Sequence, residues 1–98
     1  MATIGKRKIH TFGTINPGST VTLIWNAPPD TVLGYFAYPV VPTPSGPHGS
    51  ESGRVEVTRV TCFHLRDNDD GDKLQTKIYV KNVGDSPCGA DLWQSWVD

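Results

Sequence analysis

The sequence predicts an all-β fold, a single antiparallel two-sheet β-sandwich of about six strands that is immunoglobulin-like or jelly-roll-like. Three observations predict it. The chain has 98 residues, too few for two independent cores, so residues 1–98 are expected to form one domain. It carries 10 Gly and 8 Pro, which disfavour helices and supply turns. Its apolar residues occur in short runs that turn residues separate at intervals of roughly 8–12 residues.

Six runs have the composition of strands, and turn residues bound each of them. Asn16-Pro17-Gly18 is the clearest turn, because Pro fixes φ and Gly accepts a positive φ. The Pro-, Gly- and Ser-rich stretch 42–53 has no large apolar side chain, which predicts a surface loop. The predicted strands are residues 6–12, 19–25, 31–41, 54–65, 74–83 and 90–97.

The first three strands differ in which side is apolar. The first is polar, which is typical of a sheet edge. In the second, Val21, Leu23 and Trp25 share one side, which predicts a half-buried strand. The third is apolar on both sides, which predicts a central strand or one whose outer side is a contact surface.

The fourth strand changes its apolar side partway along. Val55 and Val57 share one side, but Val60 and Cys62 fall on the other. This predicts either a bulge near residues 58–59 or burial on both sides towards the end of the strand. The fifth strand alternates most clearly, and its predicted inward residues are Leu74, Thr76, Ile78 and Val80.

Residues 67–72, between the fourth and fifth strands, form the most conspicuous polar motif. Their carboxylates repel one another, and Ca²⁺ would relieve this repulsion through oxygen coordination. The EF-hand spacing fails, since Arg66 stands at the first ligand position and Lys77 where a bidentate Glu belongs. A solvated acidic hairpin is therefore the alternative to a calcium site. The candidate calcium ligands are Asp67, Asp69, Asp70 and Asp72.

Aromatic residues are the most informative candidates for a binding site. Trp93 and Trp96 lie three apart on one strand, so they face opposite sides unless a bulge intervenes. Tyr35 and Tyr38 are also three residues apart on one strand, so the same argument applies to them. Tyr79 lies between Lys77 and Lys81 on a polar side. Exposed Trp and Tyr are used by protein interfaces and by sites that stack against sugars. The candidate ligand-binding residues are Tyr35, Tyr38, Tyr79, Trp93 and Trp96.

A purely structural role for the aromatic residues is the competing interpretation. Trp25, Phe36 and one of the two closing tryptophans would then fill the core, and the remaining rings would cover sheet edges.

The sequence has no G-x-S-x-G, H-E-x-x-H, P-loop or Gly-rich dinucleotide-binding motif, which favours a binding protein over an enzyme. A small hydrolase is the third alternative, and it would need an acid–base pair near His10, His64 or residues 67–72. His10, His48 and His64 have no metal-ligand spacing, and ordinary surface histidines are expected. Cys62 and Cys88 are expected to be free thiols in a reducing compartment, whereas an oxidising compartment would permit a bridge between them.

The charge pattern argues against nucleic acid and membranes as partners. The formal net charge is −1, which gives no overall attraction to phosphate backbones or anionic lipid. The basic cluster Lys6-Arg7-Lys8 is interpreted as protection of an edge strand. No apolar stretch is long enough to span a bilayer and no signal-peptide pattern is present, so the protein is predicted to be cytoplasmic as written. The alternative is a secreted mature domain with an added Met.

Several phrases of the chain, taken in order, resemble a class of small bacterial β-sandwich modules that occur alone or appended to larger proteins. The resemblance covers most of the chain and implies the sandwich fold, without implying an activity or catalytic residues. The phrases are residues 5–8, 24–27, 34–35, 54–60, 80–84 and 92–97.

Together these features predict a non-catalytic binding module, with carbohydrate as the ligand class in a lectin-like role. The alternative is a structural or assembly protein whose exposed aromatic residues form a homo-oligomer or a partner interface. Calcium at residues 67–72 is the only cofactor that the sequence suggests.

Overall fold

In a computed structural model of the protein, six strands form two antiparallel sheets of three strands each. None of the described residues belongs to a helix that is long and apolar enough to cross a membrane. The described residues are 4–25, 32–41, 46–49, 52–67 and 71–97. The strands are β1 (Ile4–Ile15), β2 (Thr20–Trp25), β3 (Val32–Val40), β4 (Val55–Asp67), β5 (Gly71–Asn82) and β6 (Cys88–Val97).

The two sheets pack face to face as a β-sandwich, which confirms the predicted fold class. The first sheet has the order β1-β6-β3 and the second has the order β2-β5-β4. Strand β1 packs opposite β2, and β3 packs opposite β4. Consecutive strands change sheets at every connection except the β4–β5 hairpin, and this is a jelly-roll arrangement.

The core lies between the two central strands, β5 and β6. On β5, Thr76, Ile78 and Val80 are buried, as the alternation of this strand predicts. On β6, Ala90 and Leu92 are completely buried and complete the core from the other sheet. Because the buried residues occupy every second position, each central strand also presents a full row of side chains outward.

A bulge in β4 accounts for the shift in its apolar side. Val57 pairs with Val80, but the next pair joins Arg59 to Tyr79, so Thr58 is an extra residue. Val57 and Val60 consequently point to the same side of the second sheet. The prediction of a bulge is confirmed. Burial on both sides is wrong, since Val60 is 44% exposed.

Two expectations about β3 are corrected by the pairing of the strands. The strand is an edge strand, because β6 lies between it and β1. Phe36 is not a core residue but is 51% exposed on the outer side of the sheet. The apolar character of both sides of β3 therefore reflects a core on one side and an exposed aromatic surface on the other.

Asn82 ties together two turns at one end of the sandwich. Its side chain is completely buried, and Nδ2 donates hydrogen bonds to the carbonyl oxygens of Ile15 (2.8 Å) and Ser86 (2.9 Å). Its Oδ1 accepts a hydrogen bond of 2.9 Å from the backbone N–H of Gly84. The backbone N–H of Gly18 also donates to the carbonyl of Asn82, at 2.9 Å. One side chain thus satisfies backbone groups from β1 and from the turn that precedes β6.

Candidate ligand-binding surface

The outward side of the first sheet carries an aromatic surface framed by polar residues. Residues directly opposite each other in an antiparallel sheet point to the same side, so the register identifies the members of this surface. A bulge after Lys8 lets Lys8 and Thr11, three residues apart, face the same way. We call this surface the aromatic face. Its residues are Lys6, Lys8 and Thr11 on β1, Asp91, Trp93 and Ser95 on β6, and Gly34, Phe36 and Tyr38 on β3.

Trp93 occupies the centre of the aromatic face, because β6 is the central strand of its sheet. It is half-buried, and its register partners are Lys8 on one side and Phe36 on the other. The ring of Tyr38 meets it edge to face, with 6.3 Å between the centroids and an angle of 86°. Phe36 and Tyr38 are 51% and 52% exposed. Two adjacent strands therefore supply three rings to one surface that is open to solvent.

Polar groups border the rings and enclose a shallow pocket. The pocket has a volume of about 320 Å³ and is lined by Lys6, Tyr38, Asp91 and Trp93. The Thr11 hydroxyl donates a hydrogen bond of 2.9 Å to Oδ1 of Asp91, which orients this carboxylate. The pocket thus combines aromatic surface with an ammonium donor and a carboxylate acceptor. Such a combination binds small ligands that have an apolar side and a polar rim.

The two members of each aromatic pair face opposite sides of their strand, as predicted, so the predicted binding residues do not all lie on one surface. Trp96 and Tyr35 lie on the inner side of the first sheet, whereas Trp93 and Tyr38 lie on the outer side. The Tyr35 hydroxyl accepts a hydrogen bond from Nε2 of buried Gln94, at 3.5 Å. Tyr35 and Trp96 are therefore part of the sandwich interior rather than of the aromatic face.

Trp96 packs closely against the backbone of β1, and a glycine makes this possible. Gly5 is its register partner, and a Cβ at this position would lie 2.6 Å from Cζ2 of the indole. Any side chain at position 5 would push the indole away. The approach explains why glycine stands within β1 at this point.

Arg7 closes the same end of the sandwich by lying over two tryptophans. Its guanidinium carbon is 5.7 Å from the ring centroid of Trp25 on β2 and 5.6 Å from that of Trp96 on β6. Its Nε donates a 3.3 Å hydrogen bond to Oε1 of Gln94. One cation thereby joins the two sheets at their edge.

Replacing Arg7 with alanine is expected to lower the free energy of unfolding by about 1–2 kcal/mol, because two cation–π contacts and a hydrogen bond are lost. Arg7→Lys should lose most of this stabilisation as well, because an ammonium group cannot stack on both rings and bond to Gln94 at the same time. Urea unfolding followed by tryptophan fluorescence measures the change. Lys8→Ala, an exposed cation of the same strand on the outer side, is the matched control and should change stability by less than about 0.5 kcal/mol. Equal stability of the Arg7 and Lys8 variants would contradict this role of Arg7.

Tyr79 lies on the outer side of the second sheet, away from the aromatic face. It is half-buried between two cations, with Lys77 Nζ at 5.1 Å and Arg59 Cζ at 5.8 Å from its ring centroid. These contacts agree with its predicted place among cations. The five predicted ligand-binding residues therefore occupy three separate surfaces, and only Tyr38 and Trp93 lie together on an exposed one.

The acidic segment is only partly within the described residues. Asp67 pairs with Gly71 and Arg66 pairs with Asp72, so the strands extend further than predicted and the hairpin connection is shorter. Asp69 and Asp70 lie outside the described residues. In the part of the chain that the structure describes, no three His, Cys, Asp or Glu side chains are grouped to hold a metal ion. Calcium at this hairpin stays a prediction.

Both thiols are free. Cys88 is buried beside the core, whereas Cys62 is exposed, with its Sγ 3.7 Å from the Thr76 hydroxyl. Cys62 was expected to be inward-facing, and its side of β4 does face inward. It is nevertheless exposed.

Sequence reasoning missed several members of the aromatic face. Phe36 was considered only as a core residue, in the purely structural interpretation, and Lys6 and Lys8 were interpreted as protection of an edge. The available signal was the alternation Lys6-Arg7-Lys8, in which the two lysines share one side and Arg7 takes the other. Comparison of the chain with family models, curated proteins and solved structures finds no match to any of them.

Proposed function

We propose that the protein is a non-catalytic binding module that holds a carbohydrate on its aromatic face. The observation that carries the proposal is the exposed group of rings, Phe36, Tyr38 and Trp93, beside the oriented carboxylate of Asp91. A sugar ring has C–H groups on its faces and hydroxyls around its edge. The C–H face stacks on an aromatic ring, and the hydroxyls need donors and acceptors at the border of that ring.

The dimensions and chemistry of the pocket suit this ligand class. The pocket is a shallow depression of about 320 Å³ that is open to solvent, so a part of a saccharide chain can rest on it without being enclosed. Asp91 accepts hydrogen bonds from sugar hydroxyls, and Lys6 donates to them. Because the first sheet is open beyond the pocket, further sugar units extend over Phe36.

An assembly interface is the second candidate, and the same residues favour it. Phe36 and Tyr38 are among the exposed large apolar side chains and lie on adjacent positions of one sheet face. Two copies that pack through this face would bury both rings, and symmetric dimers are the most common oligomers. In that case the face would be covered at high protein concentration and closed to sugars.

A thermal-shift screen with a panel of mono- and oligosaccharides, and with calcium and EDTA, separates these candidates. A ligand at about ten times its Kd stabilises the fold by about 1.4 kcal/mol, which raises the melting temperature of a domain of this size by roughly 6–11 °C. We expect such a rise with at least one saccharide. A calcium-dependent rise would support the predicted site at residues 67–72. A flat response to every sugar, together with melting that depends on protein concentration, would contradict the proposal and support the assembly interface.

A further inference from the structure

The aromatic face carries more positive than negative charge, although the whole chain is slightly acidic. Lys6 and Lys8 are both exposed, and their register partners Ser95 and Trp93 show that they point outward. Among the described members of this face, Asp91 is the only acidic residue. The face therefore has two cations for one anion, while the net charge of the chain is −1.

The strand geometry separates these lysines from the third cation of the cluster. Arg7 belongs to the opposite side of β1, where its exposed side chain lies over Trp25 and Trp96 at the edge of the sandwich. Lys6 and Lys8 are left on the outer side, one residue of strand apart and on the same edge of Trp93. Two ammonium groups thus lie along one border of the ring on which the sugar is proposed to stack.

Among the residues that the structure describes, none on the opposite border of the same ring is charged. Gly34, Phe36 and Tyr38 supply the β3 side of the face, and Asp91 lies at one end beside the Thr11 hydroxyl. A ligand seated on Trp93 would consequently meet cations on its β1 side and aromatic surface on its β3 side. This distribution is complementary to a sugar ring that carries a negative group on one edge.

From this arrangement we infer that the ligand is a saccharide that contains carboxylated sugar units, of the uronic-acid type. The inference rests on the proposed function and specifies its ligand class. A hexuronate has the C–H face of a neutral hexose and replaces its exocyclic CH₂OH with a carboxylate. The ring stacks on Trp93, and the carboxylate lies towards Lys6 and Lys8.

The test compares oligouronates with uncharged versions of the same chains. Oligosaccharides of galacturonate, glucuronate, mannuronate and guluronate are each titrated beside their methyl esters, which keep the ring and remove the charge. Tryptophan fluorescence and calorimetry measure Kd for the full chain. We expect one free acid to bind about fivefold to tenfold more tightly than its ester at low salt, and the preference to shrink as NaCl is added.

Variants assign the preference to the two lysines. Lys6→Gln with Lys8→Gln should abolish the preference, so that this variant binds the acid and its ester with equal affinity. The matched control is Lys77→Gln with Lys81→Gln, which removes two cations from the outer side of the other sheet and should leave the preference intact. Circular dichroism and melting confirm that each variant is folded.

The outcomes distinguish the inference from the function on which it rests. Equal affinity for acid and ester, or a preference that survives in the Lys6 and Lys8 variant, would overturn the inference while leaving a sugar-binding module. If the protein binds none of the uronates, their esters or the neutral saccharides, both the uronate inference and the proposed carbohydrate-binding function are overturned. A preference that the control variant also loses would indicate net charge rather than this site, and would overturn the inference as well.

Discussion

Replacing Asn82 with alanine is expected to lower the free energy of unfolding by about 3 kcal/mol, because the change leaves three backbone groups without their partner. The Asn82 side chain is completely buried and bonds to the carbonyls of Ile15 and Ser86 and to the N–H of Gly84. Ile15 is itself 2% exposed, so water has little access to the carbonyl that loses its donor. The melting temperature should fall by roughly 12–24 °C for a domain of this size.

Two further variants separate this effect from the general cost of changing an asparagine in a turn region. Asn82→Asp keeps the acceptor for Gly84 but removes both N–H donors and brings two carbonyls against a carboxylate, so it should be no more stable than the alanine variant. Asn16→Ala changes an exposed asparagine in the neighbouring turn, and the expected loss is within about 0.5 kcal/mol. Chemical denaturation measures all three. A loss below about 1 kcal/mol for Asn82→Ala would show that water replaces the side chain.

The features that the sequence predicts correctly are those set by local periodicity. The alternation of β5 identifies its inward residues, and the spacing of Trp93 and Trp96 places them on opposite sides of β6. The bulge in β4 was also predictable, since the apolar side of that strand changes between Val57 and Val60. A period of two residues is a property of the strand itself, so it needs no knowledge of neighbouring strands.

The order of strands in the sheets is not local, and the errors arise there. The apolar character of both sides of β3 was compatible with a central strand or with a contact surface on its outer side, and the strand order excludes the central position because β6 separates β3 from β1. The same ambiguity underlies the purely structural interpretation, in which Phe36 fills the core, whereas it is exposed. An apolar run shows that both sides meet apolar surroundings or a contact surface, and only the packing of the second sheet determines which side is the core.

The candidate site depends on these long-range pairings even more than the fold does. Phe36 and Trp93 are far apart in the chain and become neighbours through the pairing of β3 with β6. Asp91 meets Thr11 through the pairing of β1 with β6. The sequence therefore indicates that Trp93 and Trp96 face opposite sides, as do Tyr35 and Tyr38, but it does not show which side is exposed. It also does not show that Tyr79 lies on the other sheet.

Replacing Trp93 with alanine is expected to weaken saccharide binding about 30-fold, which corresponds to about 2 kcal/mol, because it removes the central ring of the proposed site. Trp93 lies between Lys8 and Phe36 and supports the ring of Tyr38, so its loss also frees that ring to move. Trp93→Phe should give an intermediate loss, since a smaller ring still offers a stacking surface. Titration calorimetry with the saccharide that gives the largest thermal shift measures the change.

Tyr79→Ala is the matched control for Trp93→Ala. Tyr79 is also a half-buried aromatic residue on the outer side of a central strand, but it belongs to the opposite sheet and lies between Arg59 and Lys77. Its removal should leave the affinity for saccharide unchanged. Loss of binding in the Tyr79 variant with retention in the Trp93 variant would move the site to the second sheet. A different result would favour the assembly interface: no saccharide binds to the unsubstituted protein or to the Trp93→Ala variant, and the variant loses a rise of melting temperature with protein concentration. In that case the aromatic face joins two copies of the chain, and the exposed rings of Phe36 and Tyr38 contribute to the contact.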